Sequence, residues 1–124
     1  MSQNKKNKVI TYDIVLKNNT LFENYSNIEI KTLDINKENA EIINSSNFIL
    51  LDIDPHDGVQ ELNFYKNLIN IDYKGIVMLD DIHLNDGMQK FWNNIYHEKY
   101  DLTDIGHWSG TGLINFSKEK IIII

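Results

Sequence analysis

The chain has 124 residues, which is enough for one globular domain with a single buried core. It contains no cysteine, which excludes disulfides, thiolate zinc sites and cysteine nucleophiles. A net charge of −6, with twelve lysines and no arginine, argues against a nucleic-acid groove, since phosphates are bound by clustered cations. No run of about 20 apolar residues predicts a membrane span, so we expect a soluble cytoplasmic protein without a membrane partner.

The first part of the chain predicts a polar tail followed by two strands and a short helix. Residues 1–7 are polar and basic and form the tail, ahead of a domain that we place at residues 8–117. The segments Lys8–Leu16 and Asn27–Ile35 are rich in β-branched residues with alternating polarity, which is typical of strands. A short helix is predicted at Asn36–Ile43, with the asparagine as its N-cap and acid in its first turn.

The rest of the chain alternates strand and helix signals, which is typical of a mainly parallel sheet covered by helices. Phe48–Ile53 is a continuous apolar run and predicts a central strand buried on both faces. Apolar residues at helical spacing predict a helix over residues 58–70, and Ile76–Leu79 is the next predicted strand. The remaining predicted elements are a helix marked by Met88, Phe91, Trp92, Ile95 and Tyr96, a hairpin of strands at Tyr100–Ile105 and Gly112–Phe116, and a tail or strand extension at 118–124.

Acidic residues follow both of the predicted buried strands. Asp52 and Asp54 come after the first strand, and Asp80 and Asp81 come after the second. Because ligands of open α/β sheets bind at the carboxyl ends of the strands, we expect these side chains to meet at one edge. Crowded carboxylates usually mean that one is protonated or that a hard cation lies among them, so the pattern predicts a Mg²⁺ site, with His56 or Asn85 near enough to contribute. The alternative is that the aspartates only shape a turn and cap the next helix.

Four histidines and one tryptophan are further candidate functional groups. His56 and His83 lie in the loops after the two acidic strand ends, where each could act as a base or a metal ligand. His97 ends a predicted surface helix and is expected to be solvated. His107 and Trp108 open the loop HWSGTG, whose glycines permit tight turns and whose indole offers an aromatic wall for a substrate. The same loop is compatible with a plain hairpin connection in which Trp108 packs on the sheet.

The most specific pattern lies in three runs of sequence, FILLDIDPHDGVQELNFYKNL, GIVMLDDIHLNDGMQKFW and DLTDIGHWSGTGLINF. Together they resemble the later half of a class I S-adenosylmethionine-dependent methyltransferase, whose fourth strand ends in an acidic residue and whose fifth ends in Asp-Asp or Asp-Asn. The resemblance implies a Rossmann-like, mainly parallel α/β sheet with strand order 3-2-1-4-5-7-6. Strand 7 is antiparallel in that order, and the C-terminal hairpin of this chain matches strands 6 and 7.

The resemblance also implies a cofactor and a reaction. The chain would bind S-adenosylmethionine and transfer its methyl group to an oxygen or nitrogen of a small-molecule acceptor. Asp13, at the end of the strand that matches strand 2, would bind the ribose hydroxyls. Asp34 and Ile35 would lie near the adenine, and Asp52 would lie beside the cofactor as well.

Metal-dependent members of this family bind a divalent cation at positions that match Asp52, Asp80 and Asp81. The resemblance therefore implies Mg²⁺ at these three carboxylates, where it would lower the pKa of the acceptor hydroxyl. We predict that His56 is the general base and that Asp52 takes part in catalysis through the cation. The same reasoning places His107 and Trp108 in the wall of the acceptor pocket.

The family's first strand and glycine-rich loop precede strand 2, where this sequence has only seven residues. We therefore expect an N-terminally truncated domain whose open strand edges pair with a missing N-terminal segment or with a second copy. Two other functional classes stay open. Asp52-Ile53-Asp54 is similar to a DxD motif of metal-dependent phosphoryl or glycosyl transfer enzymes, and the chain could also be a non-catalytic interaction domain.

Overall fold

The computed structural model describes residues 6–15 and 24–122, which form two compact units divided between Glu38 and Asn39. Helices and strands occur together, which confirms the predicted α/β class. The predicted mainly parallel sheet is not seen among these residues, because one unit has a two-stranded parallel sheet and the other has a mixed sheet. No helix among the described residues is long and apolar enough to span a membrane.

The first unit contains the two predicted strands, β1 (Val9–Asp13) and β2 (Ile28–Thr32). They pair in parallel, with Val9 beside Ile28 and Asp13 beside Thr32. The hydroxyl of Tyr12 and the ammonium of Lys31 both donate to Oε2 of Glu38, at 2.8 and 2.7 Å. Burial raises the pKa of the Tyr12 hydroxyl, and the hydrogen bond to Glu38 raises it further.

The helix predicted at Asn36–Ile43 begins later in the chain than predicted. A 3₁₀ turn at Ile35–Lys37 comes first, and the carboxylate of Asp34 caps it by accepting from the Asn36 amide. The α-helix α1 (Ala40–Asn44) begins only after Asn39, whose side chain accepts from the Glu41 amide at 2.8 Å. Two capping residues therefore divide the segment into a 3₁₀ turn and a separate short helix.

The second unit is built around a four-stranded sheet with the order β3-β4-β6-β5. Strand β3 runs parallel to β4, whereas β6 is antiparallel to both β4 and β5. The β5–β6 pair confirms the predicted C-terminal hairpin. After α1, the elements of this unit are β3 (Phe48–Leu51), α2 (Val59–Asn70), β4 (Ile76–Asp80), α3 (Asp86–Asn94), β5 (Lys99–Asp101) and β6 (Thr111–Asn115).

Strand β3 does not have the central position that its apolar run predicts. It is the terminal strand of the four-stranded sheet, and the side chain of Leu50 is 60% exposed. An apolar run shows that a strand is hydrophobic on both faces, but it does not show that both edges are paired.

Helices α2 and α3 cover the sheet and form the core with it. The predicted helices over residues 58–70 and around Phe91 are both confirmed. Asn85 caps α3 by accepting from the Met88 amide at 3.0 Å, whereas Gly58 begins α2 in the left-handed conformation, with φ of 82°. The most deeply buried apolar side chains are Phe64, Leu68, Val77, Leu79, Ile82, Met88 and Ile114.

The C-terminal tail forms no strand over residues 118–122, so the predicted strand extension is not seen there. The final residues, 123 and 124, lie outside the described part of the chain. Strand β6 therefore ends at Asn115, whose side-chain amide donates to the Glu119 carbonyl at 2.9 Å.

Candidate metal centre at the carboxyl ends of strands β3 and β4

The acidic residues that follow β3 and β4 meet at one edge of the sheet. The two strands are parallel and in register, with Leu51 beside Leu79, so that Asp52 and Asp80 come next at the same level. Asp80 also lies beside Thr111, the first residue of β6, which brings the C-terminal loop to the same edge. The parallel pairing of two short strands thus places carboxylates from distant parts of the sequence next to one another.

His56 lies at the centre of the carboxylates from the first loop. Its Nε2 is 3.5 Å from Oδ1 of Asp52 and 3.2 Å from Oδ1 of Asp54, and its Nδ1 is 3.4 Å from Oδ2 of Asp81. The backbone of His56 is left-handed, with φ of 57°, and its carbonyl accepts from the Asn85 side chain at 2.7 Å. The start of α3 therefore holds the loop in a strained conformation that directs the imidazole between the two strand ends.

Asp81 connects the two halves of the site. Its Oδ2 faces His56, whereas its Oδ1 accepts a short hydrogen bond from the Ser109 hydroxyl. The residue is left-handed, with φ of 60°, and its amide donates to Oδ1 of Asp80 at 2.9 Å. Left-handed backbone is uncommon outside glycine, so this turn holds the Asp81 carboxylate in a position that an ordinary strand end would not give it.

Ser109 positions the second histidine of the site. Its Oγ lies 2.5 Å from Nδ1 of His107. The same Nδ1 is 3.6 Å from Oδ1 of Asp80 and 3.6 Å from Oδ1 of Asp81. The Ser109 hydroxyl donates to Asp81, so its oxygen is left to accept at Nδ1 of His107. A cation bound by Asp80, Asp81 and His107 would take the place of that hydrogen bond. Ser109 was not among the predicted site residues, because a serine inside a glycine-rich loop carries no signal of its own.

Within the part of the chain that the structure describes, two sets of three residues have the spacing of a metal site. They are Asp52 with His56 and Asp81, and Asp80 with Asp81 and His107, and within each set the ligand atoms lie within 4.8 Å of one another. Ligands on opposite sides of one divalent cation are about 4 to 5 Å apart, so both sets fit a cation. The predicted trio of Asp52, Asp80 and Asp81 is thus divided between two sets that share Asp81.

The donor atoms also bear on which cation fits. Carboxylate oxygens suit Mg²⁺, Ca²⁺ and Mn²⁺, whereas imidazole nitrogen suits transition-metal ions. Each set combines two carboxylates with one histidine. This mixture fits Mn²⁺, Fe²⁺ or Zn²⁺ at least as well as the Mg²⁺ that the carboxylates alone predict.

The other two histidines lie outside both sets. Nδ1 of His83 is 2.5 Å from the Gln89 side chain and its Nε2 is 2.6 Å from Asp101, and these hydrogen bonds raise its pKa. The ring of His97 was expected to be solvated, but it stacks on Tyr96 at 4.6 Å and packs 4.5 Å from Phe116. Burial lowers the pKa of His97.

The predicted pocket residue Trp108 lies beside the site but outside the core. Its ring is 5.7 Å from that of His107, and its side chain is 80% exposed. A ring in this position can cover a bound molecule, but the sheet does not bury it. Its predicted role in the acceptor pocket therefore stays a prediction.

The residues predicted to bind the cofactor's nucleoside belong to the first unit. Asp13 ends β1 and accepts from the Val15 amide at 3.1 Å, and Asp34 accepts from the Asn36 amide at 2.9 Å. Because β1 and β2 are parallel, Asp13 and Asp34 with Ile35 follow the same end of that sheet. These two hydrogen bonds close local turns, and the role of Asp13, Asp34 and Ile35 in cofactor binding stays a prediction.

The chain matches no protein-family model, no curated protein and no solved structure at a significant level.

Proposed function

We propose that this chain binds a divalent cation between β3 and β4 and takes part in S-adenosylmethionine-dependent methyl transfer to a small-molecule acceptor. The observation that carries the proposal is the position of Asp81, whose two carboxylate oxygens face His56 on one side and Ser109 and His107 on the other. Asp52 and Asp80 add further carboxylates at the same strand ends. Negative charges gathered in this way are costly unless a cation or a proton compensates them.

Each side chain has a distinct role in this proposal. Asp81 would hold the cation together with Asp52 or with Asp80, and a bound cation would lower the pKa of an acceptor hydroxyl and orient it. His56 receives the proton that the acceptor loses, while the carboxylates beside its two nitrogens keep the ring in place. The acceptor oxygen or nitrogen forms its bond to the methyl carbon as the carbon–sulfur bond breaks, and the demethylated cofactor leaves with the electron pair. His107 and Trp108 line the acceptor side.

The strand orders support the methyltransferase part of the proposal. The resemblance implies the order 3-2-1-4-5-7-6, and its strands 3-2 and 4-5-7-6 would match β2-β1 and β3-β4-β6-β5 of this chain. The antiparallel strand of that order would match β6, which is antiparallel to both of its neighbours. In this proposal Asp13, Asp34 and Ile35 of the first unit bind the nucleoside of the cofactor.

One observation favours a second candidate function. Asp52 and Asp54 both lie within 3.5 Å of Nε2 of His56, so the two acids of the DxD-like sequence face a common point. A DxD-type enzyme would bind the diphosphate of a nucleotide sugar through its cation. This is the weaker of the two candidates, because the side chain of Asp54 is exposed to solvent.

Calorimetry separates these functions. The full chain is titrated with MnCl₂ and MgCl₂. The metal-loaded protein is then titrated with S-adenosylhomocysteine or with a nucleoside diphosphate sugar. We expect saturable Mn²⁺ binding and binding of S-adenosylhomocysteine, followed by methyl transfer to members of a panel of small alcohols, phenols and amines. Preference for the nucleotide sugar would support the DxD-type enzyme, and the absence of any cation binding would reject both.

A further inference from the structure

His83 was predicted to act as a base or a metal ligand, but the proposed reaction does not use it. It lies in the turn between β4 and α3, two residues after Asp81. Nδ1 of its ring is 2.5 Å from Oε1 of Gln89 in α3, and Nε2 is 2.6 Å from Oδ2 of Asp101, the last residue of β5. Both ring nitrogens therefore contact protein side chains, which connects this turn to a helix on one side and to a strand on the other.

The contact with Asp101 reaches the start of the loop between β5 and β6, residues 102–110, which we call the acceptor loop. While Oδ2 of Asp101 faces His83, its Oδ1 accepts from the Thr103 amide at 3.0 Å and from the Thr103 hydroxyl at 2.5 Å. One carboxylate thus joins the first turn of the acceptor loop to the imidazole of His83.

The end of the acceptor loop also lies against His83. The His83 amide donates to the Ser109 carbonyl at 2.8 Å. A Cβ on Gly110 would lie 2.7 Å from the backbone nitrogen of His83 and 2.9 Å from Cδ2 of its ring, and Gly110 has φ of 110°. Only glycine permits this approach and this backbone conformation together. His83 is therefore in contact with both ends of the loop.

We propose that His83 is a positioning residue that holds the acceptor loop, so that His107 and Trp108 stay beside the acidic residues of the site. The inference rests on the proposed function, in which these two side chains line the acceptor side. A hydrogen bond to a carboxylate, such as that between His83 and Asp101, is about twice as strong as one between neutral groups. Misplacement of a positioning group by about 1 Å can lower a reaction rate about 100-fold, so a held loop matters for an acceptor that it contacts.

The test compares His83→Phe and His83→Gln with the control Lys74→Met. His83→Phe keeps a ring but removes both side-chain hydrogen bonds, whereas the amide of His83→Gln can still donate to Asp101. Lys74→Met removes a pair of similar length, 2.7 Å to Asp72, from a turn outside the site.

Amide hydrogen exchange, followed by NMR on the full chain without metal, measures the opening of the loop. The amides of Leu102 and Gly110 donate within the acceptor loop and its base, to Thr111 and His107, whereas that of Phe116 donates to Gly75. In His83→Phe we expect exchange to be about 10- to 100-fold faster at Leu102 and Gly110, and unchanged at Phe116.

The kinetic expectation follows from the same contacts. The kcat/KM of methyl transfer should fall at least about tenfold in His83→Phe. His83→Gln should restore most of both the slow exchange and the kcat/KM, and Lys74→Met should behave as the wild type does.

The possible results separate this inference from the proposed function. Wild-type exchange at Leu102 and Gly110 in His83→Phe would overturn the inference alone, and so would equally faster exchange at Phe116, because His83 would then support the whole fold. Faster loop exchange with unchanged kcat/KM would also overturn it. If His83→Phe does not fold, Gln89→Leu, which removes only the partner of Nδ1, replaces it with the same expected directions. A wild type without methyl transfer would overturn the proposed function, and with it the acceptor role of the loop.

Discussion

The two ends of the sheet in the second unit carry different kinds of side chain. The carboxyl end of β4, which we call the acidic end, carries the two sets of ligands that share Asp81, which are Asp52 with His56 and Asp80 with His107. At its amino end, which we call the aromatic end, the rings of Tyr65, Tyr73, Tyr96, His97 and Phe116 pack together. One strand of five residues separates them. Because a strand rises about 3.3 Å per residue, the ends are only about 15 Å apart.

The position of a histidine shows the difference between the ends. Nδ1 of His97, at the aromatic end, is 2.7 Å from the Tyr65 hydroxyl, and aromatic rings surround the imidazole. His56, at the acidic end, has a carboxylate 3.2 to 3.5 Å from each ring nitrogen. The aromatic end is closed by its own side chains, whereas the acidic end brings carboxylates and histidines from several loops together. Stability is therefore expected to come from one end and ligand binding from the other.

Removal of the Phe116 ring is expected to have the largest effect on stability. This ring lies 4.5 Å from His97 and within 6 Å of both Tyr65 and Tyr73, so Phe116→Ala leaves a cavity among aromatic side chains. We expect the free energy of unfolding to fall by about 3–5 kcal/mol, measured by urea denaturation with circular dichroism. The Phe116→Leu variant should lose less of the free energy of unfolding, and it should keep the wild-type Mn²⁺ affinity. A loss below about 1 kcal/mol for Phe116→Ala would show that the aromatic end does not carry the stability.

Asp81→Asn is the corresponding test of the acidic end. Asparagine tolerates the left-handed backbone of this residue and can still accept from Ser109, so the fold should persist. We expect Mn²⁺ affinity to fall at least 100-fold, which is about 2.7 kcal/mol, because Asp81 belongs to both sets of ligands. Asp104→Asn, at an exposed aspartate outside both sets, is the matched control and should bind as the wild type does. Equal losses in the two variants would mean that only net charge matters.

The pH dependence of stability should show the contribution of His97 at the aromatic end. Burial lowers the pKa of His97 below the value of about 6.5 that it has in the unfolded chain. Its contribution is therefore present above pH 6.5 and is lost as the pH falls from 6.5 through the lowered pKa, by at most about 1.4 kcal/mol per pH unit. Urea denaturation between pH 8 and pH 5 measures this change, and His97→Gln should make the curve flatter. A wild-type curve parallel to that of the variant would contradict the buried state of His97.

The acidic end could be predicted from sequence more completely than the aromatic end. Asp52 and Asp80 follow strands whose apolar runs are local, so residue type and order were enough to bring their carboxylates to one edge. His97 was misplaced because its environment comes from Phe116, which is 19 residues away in the sequence and reaches it only through the pairing of β6. Contacts of this kind depend on tertiary structure, which helical periodicity does not describe.

The buried face of α2 shows a further limit of the sequence pattern. Apolar spacing places Val59 on the buried face, yet this side chain is 56% exposed and Glu61 is buried instead. A Cβ on Gly58 would lie 2.4 Å from the carbonyl oxygen of Gly87, so the first turn of α2 packs closely against the start of α3. A hydrophobicity pattern assigns glutamate to solvent by default, so a buried carboxylate escapes it.

Substitution of Trp108 is expected to have the smallest effect on stability and so sharpens the comparison. The ring lies at the acidic end beside His107 and is 80% exposed, whereas the chain's other tryptophan, Trp92, is buried in the core. We expect Trp108→Ala to change the free energy of unfolding by no more than about 0.5 kcal/mol, as is usual for exposed sites. If the ring covers the methyl acceptor, kcat/KM should fall about tenfold, since an aromatic contact contributes about 1–1.5 kcal/mol. Steady-state kinetics and urea denaturation of the same preparation measure both quantities. Unchanged kcat/KM would mean that the Trp108 ring does not contact the acceptor. A large loss of stability would mean that the acidic end also contributes to the free energy of unfolding.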